Sequence, residues 1–556
     1  MEENHNPQKP ASGKERKPAA TVEVAETTNV SPRVWRTGSA AILITGALLR
    51  LYDLNLVPFH HDEGVNANFV MNLVNKGFYQ YDPQNYHGPT LYYFAALIPW
   101  IAKLLFTKSL AADYGFNAYT MRFVTAAFGV GTIWLVLALR RRVGTIAALT
   151  AAVLLAISPG AVYLSRYFIH EPLLVFFTLA IVVAALRFYE SLRPSYLLLA
   201  AAAASLLFAT KETAIITAGV LVIAGASTII LSRFYKAQRK AGNKRKRVAT
   251  MPESMRSTID RFGGVSSLAI LAIAAISLFL IIAILFYSSF FTNYPKGLYD
   301  ALRTFDLWAN TSTRIHVNPW WTYFSWILKE ESPVMLLGFV GVVMAIWRGS
   351  NRFAVFTAFW TIGIFAAYSM IPYKTPWLTL NLLLPLAIMG GYAFQEIFKQ
   401  PSVQKHLSIA QSLSIVAFVV LTYQALQLNF VHYDDERYVY VYVHTTRDVF
   451  PMMEEIDRLA KRAGTDNQTL MTVTLTEYWP LPWYFRHYPF VRYAKPFVSD
   501  ETIVIGPANE QMLLMASLGT SYVQIPSGLN AAGTYTLRPG VDLILFARKD
   551  LAIQGR

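Results

Sequence analysis

The 556-residue chain has no cysteine. That excludes disulfides and thiolate metal sites and leaves every redox compartment open. Charge is scarce: 15% of residues are Asp, Glu, Lys or Arg, against 54% hydrophobic. A soluble chain of this length rarely has that ratio, and repeated apolar runs of about 18 or more residues describe a polytopic membrane protein. Acidic residues are the scarcer sign, 34 against 49 basic, for a net charge of +15. Much of the basic excess falls in short loops between apolar runs, so it is read as topology and anionic headgroups rather than nucleic-acid binding. Residues 1–30 have no apolar stretch; they are polar and mixed in charge, expected to be disordered and to hold no cleavable signal. No internal repeat is visible, and repeat symmetry is common in transporters.

Twelve apolar runs are present, near 38–57, 90–106, 117–139, 145–163, 172–189, 194–210, 212–232, 265–290, 332–347, 353–371, 376–395 and 407–428. Most have bilayer length. The basic segments "LRRRVG" (139–144), 233–262, "WRGSNRF" (347–353) and "FKQPSVQKH" (398–406) are expected inside. They share a side with Arg33 and Arg36 only if one early run does not cross. The run 90–106 is short, carries Pro99 and Lys103, and is rich in Tyr and Trp. It is read as an interfacial or re-entrant helix. The expectation is a multi-pass protein of the plasma membrane with eleven spans. Residues 1–36 form a cytoplasmic tail, 37–428 the transmembrane domain with a first outer loop at 58–116, and 429–556 a small extracytoplasmic α/β domain. In that last part Val449, Met452, Ile456 and Leu459 mark one face of a helix, and "TLMTVTL", "ETIVIG" and "DLILFAR" read as short strands. The aromatic stretch "EYWPLPWYFRHYPFVRY" suits a sugar-binding surface or a domain–membrane contact equally.

With that topology four polar motifs meet on the outer face: "FHHDEG" (59–64), "SRYFIHEP" (165–172), "ATKET" (209–213) and "PYKTPW" (372–377). Charge at a span end is costly unless it faces a cavity. The competing reading is that loops are simply polar. Asp62 and Glu63 offer a general base for a hydroxyl or ligands for a divalent cation such as Mg or Mn. Being adjacent on a helix start they point about 100° apart and have different tasks. His60 and His61 suit a metal, a phosphate or neither; His60, His61, Asp62 and Glu171 are the donors a cation would use. His170 and Glu171 form a second acidic site, and Arg166 is either a phosphate ligand or the partner that fixes the turn with Glu171. Lys211 and Lys374 are placed for a lipid-linked phosphate, against plain snorkelling. Together these groups suit sugar transfer from a polyprenyl-phosphate donor.

On "FHHDEG", "YHGPTLYYF", "SRYFIHEPLLVFF", "ATKET", "YKTPWLTLNLLLPLA" and "YVYVHTTRDV…WPLPWYFR", the chain resembles the GT-C membrane glycosyltransferases. It is similar to protein O-mannosyltransferases and lipid A aminoarabinose transferases, and more similar still to the flippase activity-associated family. The motifs run from about residue 40 to 490. The resemblance implies Asp62 as catalytic base with Glu63 in support, and Lys211 and Lys374 on the donor phosphate. It implies an outer juxtamembrane helix at "HGPTLYYF", with Tyr86, His87, Tyr373 and Trp377 lining the substrate site. Relatives carry Asp where this chain has His170-Glu171. The implied partners are a polyprenyl-phosphate sugar, a protein, lipid or glycan acceptor, and the bilayer. The alternative is a non-catalytic component that assists flipping or transport of lipid-linked sugars.

Overall fold

The computed structural model describes residues 30–85, 87–105, 115–241, 264–311, 316–497 and 501–553. Apolar runs become helices because a bilayer offers the backbone no water to bond. Their ends are set by local chemistry. Ser31 caps Pro32–Leu51, Asn117 caps Ala118–Ala138 and Asn351 caps Arg352–Met370 through side-chain acceptors, and Gly349 ends Ser332–Arg348 with a positive φ. Among the described residues seven helices are long and apolar enough to cross a membrane, or nine if each of two bent pairs counts as one span. The expected eleven exceeds both figures. Pro32–Leu51 carries Arg33, Arg36 and Arg50, and Pro194–Phe208 and Thr90–Leu105 are short. Thr90–Leu105 is the segment read as non-crossing.

The bent pairs are Thr145–Ile157 with Pro159–Ser165, at 62°, and Thr322–Glu330 with Ser332–Arg348, at 118°. One acid serves both breaks: Glu331 Oε1 accepts from Ser158 Oγ and Gly160 N, each at 2.7 Å. At the centre of the bundle lies Thr379–Phe398, buried along nearly its whole length. Glycine makes this packing close. A Cβ on Gly341 would sit 2.1 Å from Met389 O, and one on Gly391 2.2 Å from Ala147 O. At the other extreme Val265–Tyr287 exposes Ile270, Ile273, Ile276 and Leu280. Such a surface has lipid as its solvent.

The C-terminal part holds a six-stranded sheet: β1 (Met471–Val473), β2 (Val491–Tyr493), β3 (Ile503–Pro507), β4 (Tyr522–Ile525), β5 (Tyr535–Arg538) and β6 (Val541–Arg548). The order is β2-β1-β3-β6-β4, with β5 also on β6. β1 is parallel to β2 and β3; the pairs made by β6 are antiparallel. Ile503, Ile505, Leu543 and Leu545 face the helix Val449–Arg462, which buries Val449, Met452, Ile456 and Leu459. Val504, Ile544 and Phe546 face Leu514 and Leu518 of Gln511–Leu518. Both faces being covered explains the unbroken apolar runs in β3 and β6.

Candidate active site

The stretch after Pro58 turns directly into helix His61–Lys76. His60 is its N-cap: Nδ1 accepts from Asp62 N at 3.0 Å, while Glu63 Oε2 accepts from His60 N at 2.9 Å. This reciprocal cap satisfies two orphan amides. Glu63 goes further. Fully buried, it takes Arg122 Nε at 2.7 Å, Arg122 Nη2 at 2.6 Å and Phe168 N at 2.8 Å. Arg122 also donates to the carbonyls of Leu54, Val57 and Pro58. The pair therefore welds the first loop, the helix start and the turn at 167–168 into one body.

The other charged motifs are placed with equal economy. Arg166, expected on a phosphate, donates to Leu49, Tyr52 and Asp53 carbonyls at the end of Pro32–Leu51, under the Phe430 ring. Lys374 Nζ, also expected there, donates to Ile371 O at 2.6 Å and Ser369 O at 3.2 Å, capping the end of Arg352–Met370. Both satisfy helix-terminal carbonyls that lack an intrahelical partner. Lys211 forms an ion pair with Glu171 and is buried. Burial lowers its pKa, but Glu171 and Glu212 outweigh that and hold it above the ordinary lysine value. His87 Nδ1 meets Glu212 Oε2 at 3.2 Å. His170 Nε2 donates to Gly88 O at 3.1 Å, and its ring lies 4.8 Å from that of His87. The "HGPT" segment is zipped to "ATK": Gly88 N and Thr90 N donate to the carbonyls of Thr210 and Ala209 at 3.1 Å.

An aromatic and imidazole cluster joins these pieces. The His60 ring lies 5.1 Å from Tyr167, 6.3 Å from Trp377 and 5.2 Å from His444. Its Nε2 donates to Tyr442 O at 3.1 Å. Four segments spread over nearly 400 residues thus meet at one histidine. Tyr373 lies within electrostatic reach of Lys211, Asp62 and Glu171 together. Tyr86 lies outside the described residues.

Asp62 differs from the other three carboxylates. Glu63, Glu171 and Glu212 are buried and held by cations or a histidine. The Asp62 side chain is 41% exposed, with no hydrogen-bond donor on it among the described residues. His60 Nδ1, 4.0 Å away, already spends its lone pair on the Asp62 amide.

The four expected cation ligands do not come together as a donor set. Both ring nitrogens of His60 are engaged, and Glu171 is paired with Lys211. Among the described residues no group of three or more His, Asp or Glu side chains is arranged to hold a metal. Several partners were not singled out from the sequence: Arg122, Arg50, Glu212 and His444. An arginine inside an apolar run is a signal, and Arg122 in "AYTMRFV" carried it. Arg50 donates to Ser165 Oγ and to the Gly46, Leu155 and Ala156 carbonyls.

Residues 42–296 match the family described as dolichyl-phosphate-mannose-protein mannosyltransferase. Among solved structures, ArnT from Cupriavidus metallidurans bound to undecaprenyl phosphate is similar with a TM-score of 0.60 at 14% identity, covering 93% of this chain and 98% of that one. The archaeal oligosaccharyltransferase AglB from Archaeoglobus fulgidus, in complex with an inhibitory peptide and a dolichol-phosphate, is similar with a TM-score of 0.50 at 13% identity, covering 87% and 70%. At such identities the likeness is one of fold. No curated protein matches the chain significantly.

Proposed function

We propose that this multi-pass membrane protein of GT-C fold is a glycosyltransferase that moves a sugar from a polyprenyl-phosphate donor to a hydroxyl acceptor on the extracytoplasmic side, with Asp62 as general base. The observation that carries the reading is the contrast among four neighbouring carboxylates: three are committed to internal partners, and Asp62 alone is accessible and unbonded among the described residues. A base must reach its proton, so accessibility decides between otherwise similar acids.

In this reading the acceptor hydroxyl gives its proton to the Asp62 carboxylate as its oxygen attacks the anomeric carbon. The bond from that carbon to the phosphate oxygen breaks, and polyprenyl phosphate leaves with the electron pair. Lys211 has three donors and gives one to Glu171. Its remaining donors are the phosphate contact in this proposal, stabilising negative charge as it develops. With one free carboxylate and one displacement, the product has inverted anomeric configuration. Arg166 and Lys374, which donate to backbone carbonyls, are not assigned to the phosphate in this proposal.

The test is sugar transfer by purified protein in bilayers from a panel of polyprenyl-phosphate sugars, wild type against Asp62→Asn. Removal of a general base costs about 10²–10⁴-fold. Transfer that survives Asp62→Asn refutes the assignment. No transfer from any donor, with polyprenyl phosphate still bound, favours a flipping-associated role.

A further inference from the structure

We infer that the Glu477–Trp479 loop of the C-terminal domain, together with His61, forms the subsite for a neutral saccharide acceptor beside Asp62. The inference rests on the transfer reaction proposed above and names its acceptor class.

The loop is far from Asp62 in sequence; Arg538 of the same domain fixes its shape, and two further contacts seat it at the start of helix His61–Lys76. Arg538, 7% exposed, donates to Trp479 O at 2.6 Å and to Glu477 O and Oε2 at 3.2 and 2.7 Å. Pro480 rests on Gly64, where a Cβ would come within 2.8 Å of the proline Cβ. Trp483 stacks on Phe59 at 4.2 Å, and Tyr484 Oη accepts from Phe59 N at 2.8 Å. Glycine at position 64 is thus what lets the loop reach the helix start that carries the base.

What the loop offers there is amphipathic. The half-buried Trp479 ring lies 6.4 Å from His61, at 57° to it, with Tyr478 5.9 Å further along. The Glu477 side chain is 73% exposed, with one oxygen on Arg538 and the other unbonded among the described residues. A neutral imidazole both donates and accepts. A sugar ring matches this set: its C–H face lies on an aromatic face while its rim hydroxyls bond a planar carboxylate and an imidazole.

Charge divides the site around Asp62. Lys211 is paired with Glu171, Arg538 is paired with Glu477, and His61, next to Asp62 in the chain, lies against Trp479. The lysine side suits the anionic donor. The Trp479 side, where Arg538 is already taken up by the Glu477 carboxylate and two backbone carbonyls and Asp62 keeps its charge, disfavours a phosphate and accepts a neutral ligand.

The experiment is saturation-transfer NMR on the full-length protein in nanodiscs. The probes are a panel of neutral mono- and disaccharides and a panel of Ser/Thr peptides, with undecaprenyl phosphate binding as the folding control. At least one saccharide binds the wild type; Trp479→Ala weakens it about tenfold, Trp479→Phe retains most of the affinity, and Glu477→Gln weakens it severalfold. Undecaprenyl phosphate binds all of them alike. Saccharide binding that is indifferent to Trp479, or Trp479-dependent binding of peptides alone, overturns the proposal. So does the absence of saccharide binding. Trp479-dependent saccharide binding without sugar transfer from any donor supports the subsite and removes the transfer reaction instead.

Discussion

Asp62 and Glu63 are neighbours with the same charge, yet the structure gives their loss opposite consequences. Glu63→Gln keeps the shape but replaces one acceptor oxygen by an amide that must face N–H donors. Four donors converge on Glu63 at 2.6–2.9 Å, two of them from a guanidinium that is 1% exposed. Breaking a buried pair while leaving one charge behind costs about 3–5 kcal/mol. If the chain unfolds as one unit, the per-residue unfolding entropy turns this into a melting-temperature drop of about 3–4 °C. Asp62→Asn forfeits only the attraction of an exposed carboxylate to a helix N-terminus, about 0.3–1 kcal/mol, and shifts melting by less than about 1 °C. Tryptophan-fluorescence melting of both variants in the same bilayers, beside the transfer assay, separates the two. Replacing both members of the clamp, Glu63→Leu with Arg122→Met, regains part of the loss because no unpaired charge remains. Wild-type melting of Glu63→Gln with transfer abolished would refute the clamp and make Glu63 a chemical group.

Lys211→Met leaves Glu171 buried without its cation; restoring the balance with Glu171→Gln/Lys211→Met recovers melting temperature but not donor binding, read as KM for the polyprenyl-phosphate sugar. Burial pushes the imidazole pKa of His60, His170 and His444 below the ordinary value of about 6.5. All three stay neutral in the fold and charge on unfolding, so their contribution is complete above about pH 6.5 and is lost as pH falls below it. The expected slope is about 1.4 kcal/mol per pH unit for each histidine, and His444→Gln reduces it by about a third. Gly88→Ala would place a Cβ 2.1 Å from Ala209 O, so it unzips "HGPT" from "ATK" at a cost of about 1–3 kcal/mol, visible as faster amide exchange at position 88 and at Thr90.

Much of the architecture was legible one segment at a time. Apolar length marked the helices, and the 3.6-residue period named Val449, Met452, Ile456 and Leu459 as the buried face of their helix. Thr90–Leu105, with Pro99 and Lys103, is one of two shorter apolar helices; the other, Pro194–Phe208, was read as a span. The GT-C resemblance carried by the motifs agrees with the fold found. The roles of the cations were less legible. Arg166 and Lys374 look, in one dimension, like phosphate ligands, because a basic residue at a span end has the same spelling whether it binds a lipid or caps a helix.

The amino-acid sequence by itself determined that the chain is a membrane protein, which apolar runs become helices, and which polar motifs interrupt them, because these follow from local apolar length and charge. Only the tertiary structure decided which carboxylate stays accessible. Hydrogen-bond donors come from residues 40 to 125 positions away: Arg122 and Phe168 for Glu63, Lys211 for Glu171, His87 for Glu212. The long-range pairing of donors with acceptors in a low-dielectric interior spends three acids on stability and leaves Asp62 exposed, and no local pattern encodes that allocation.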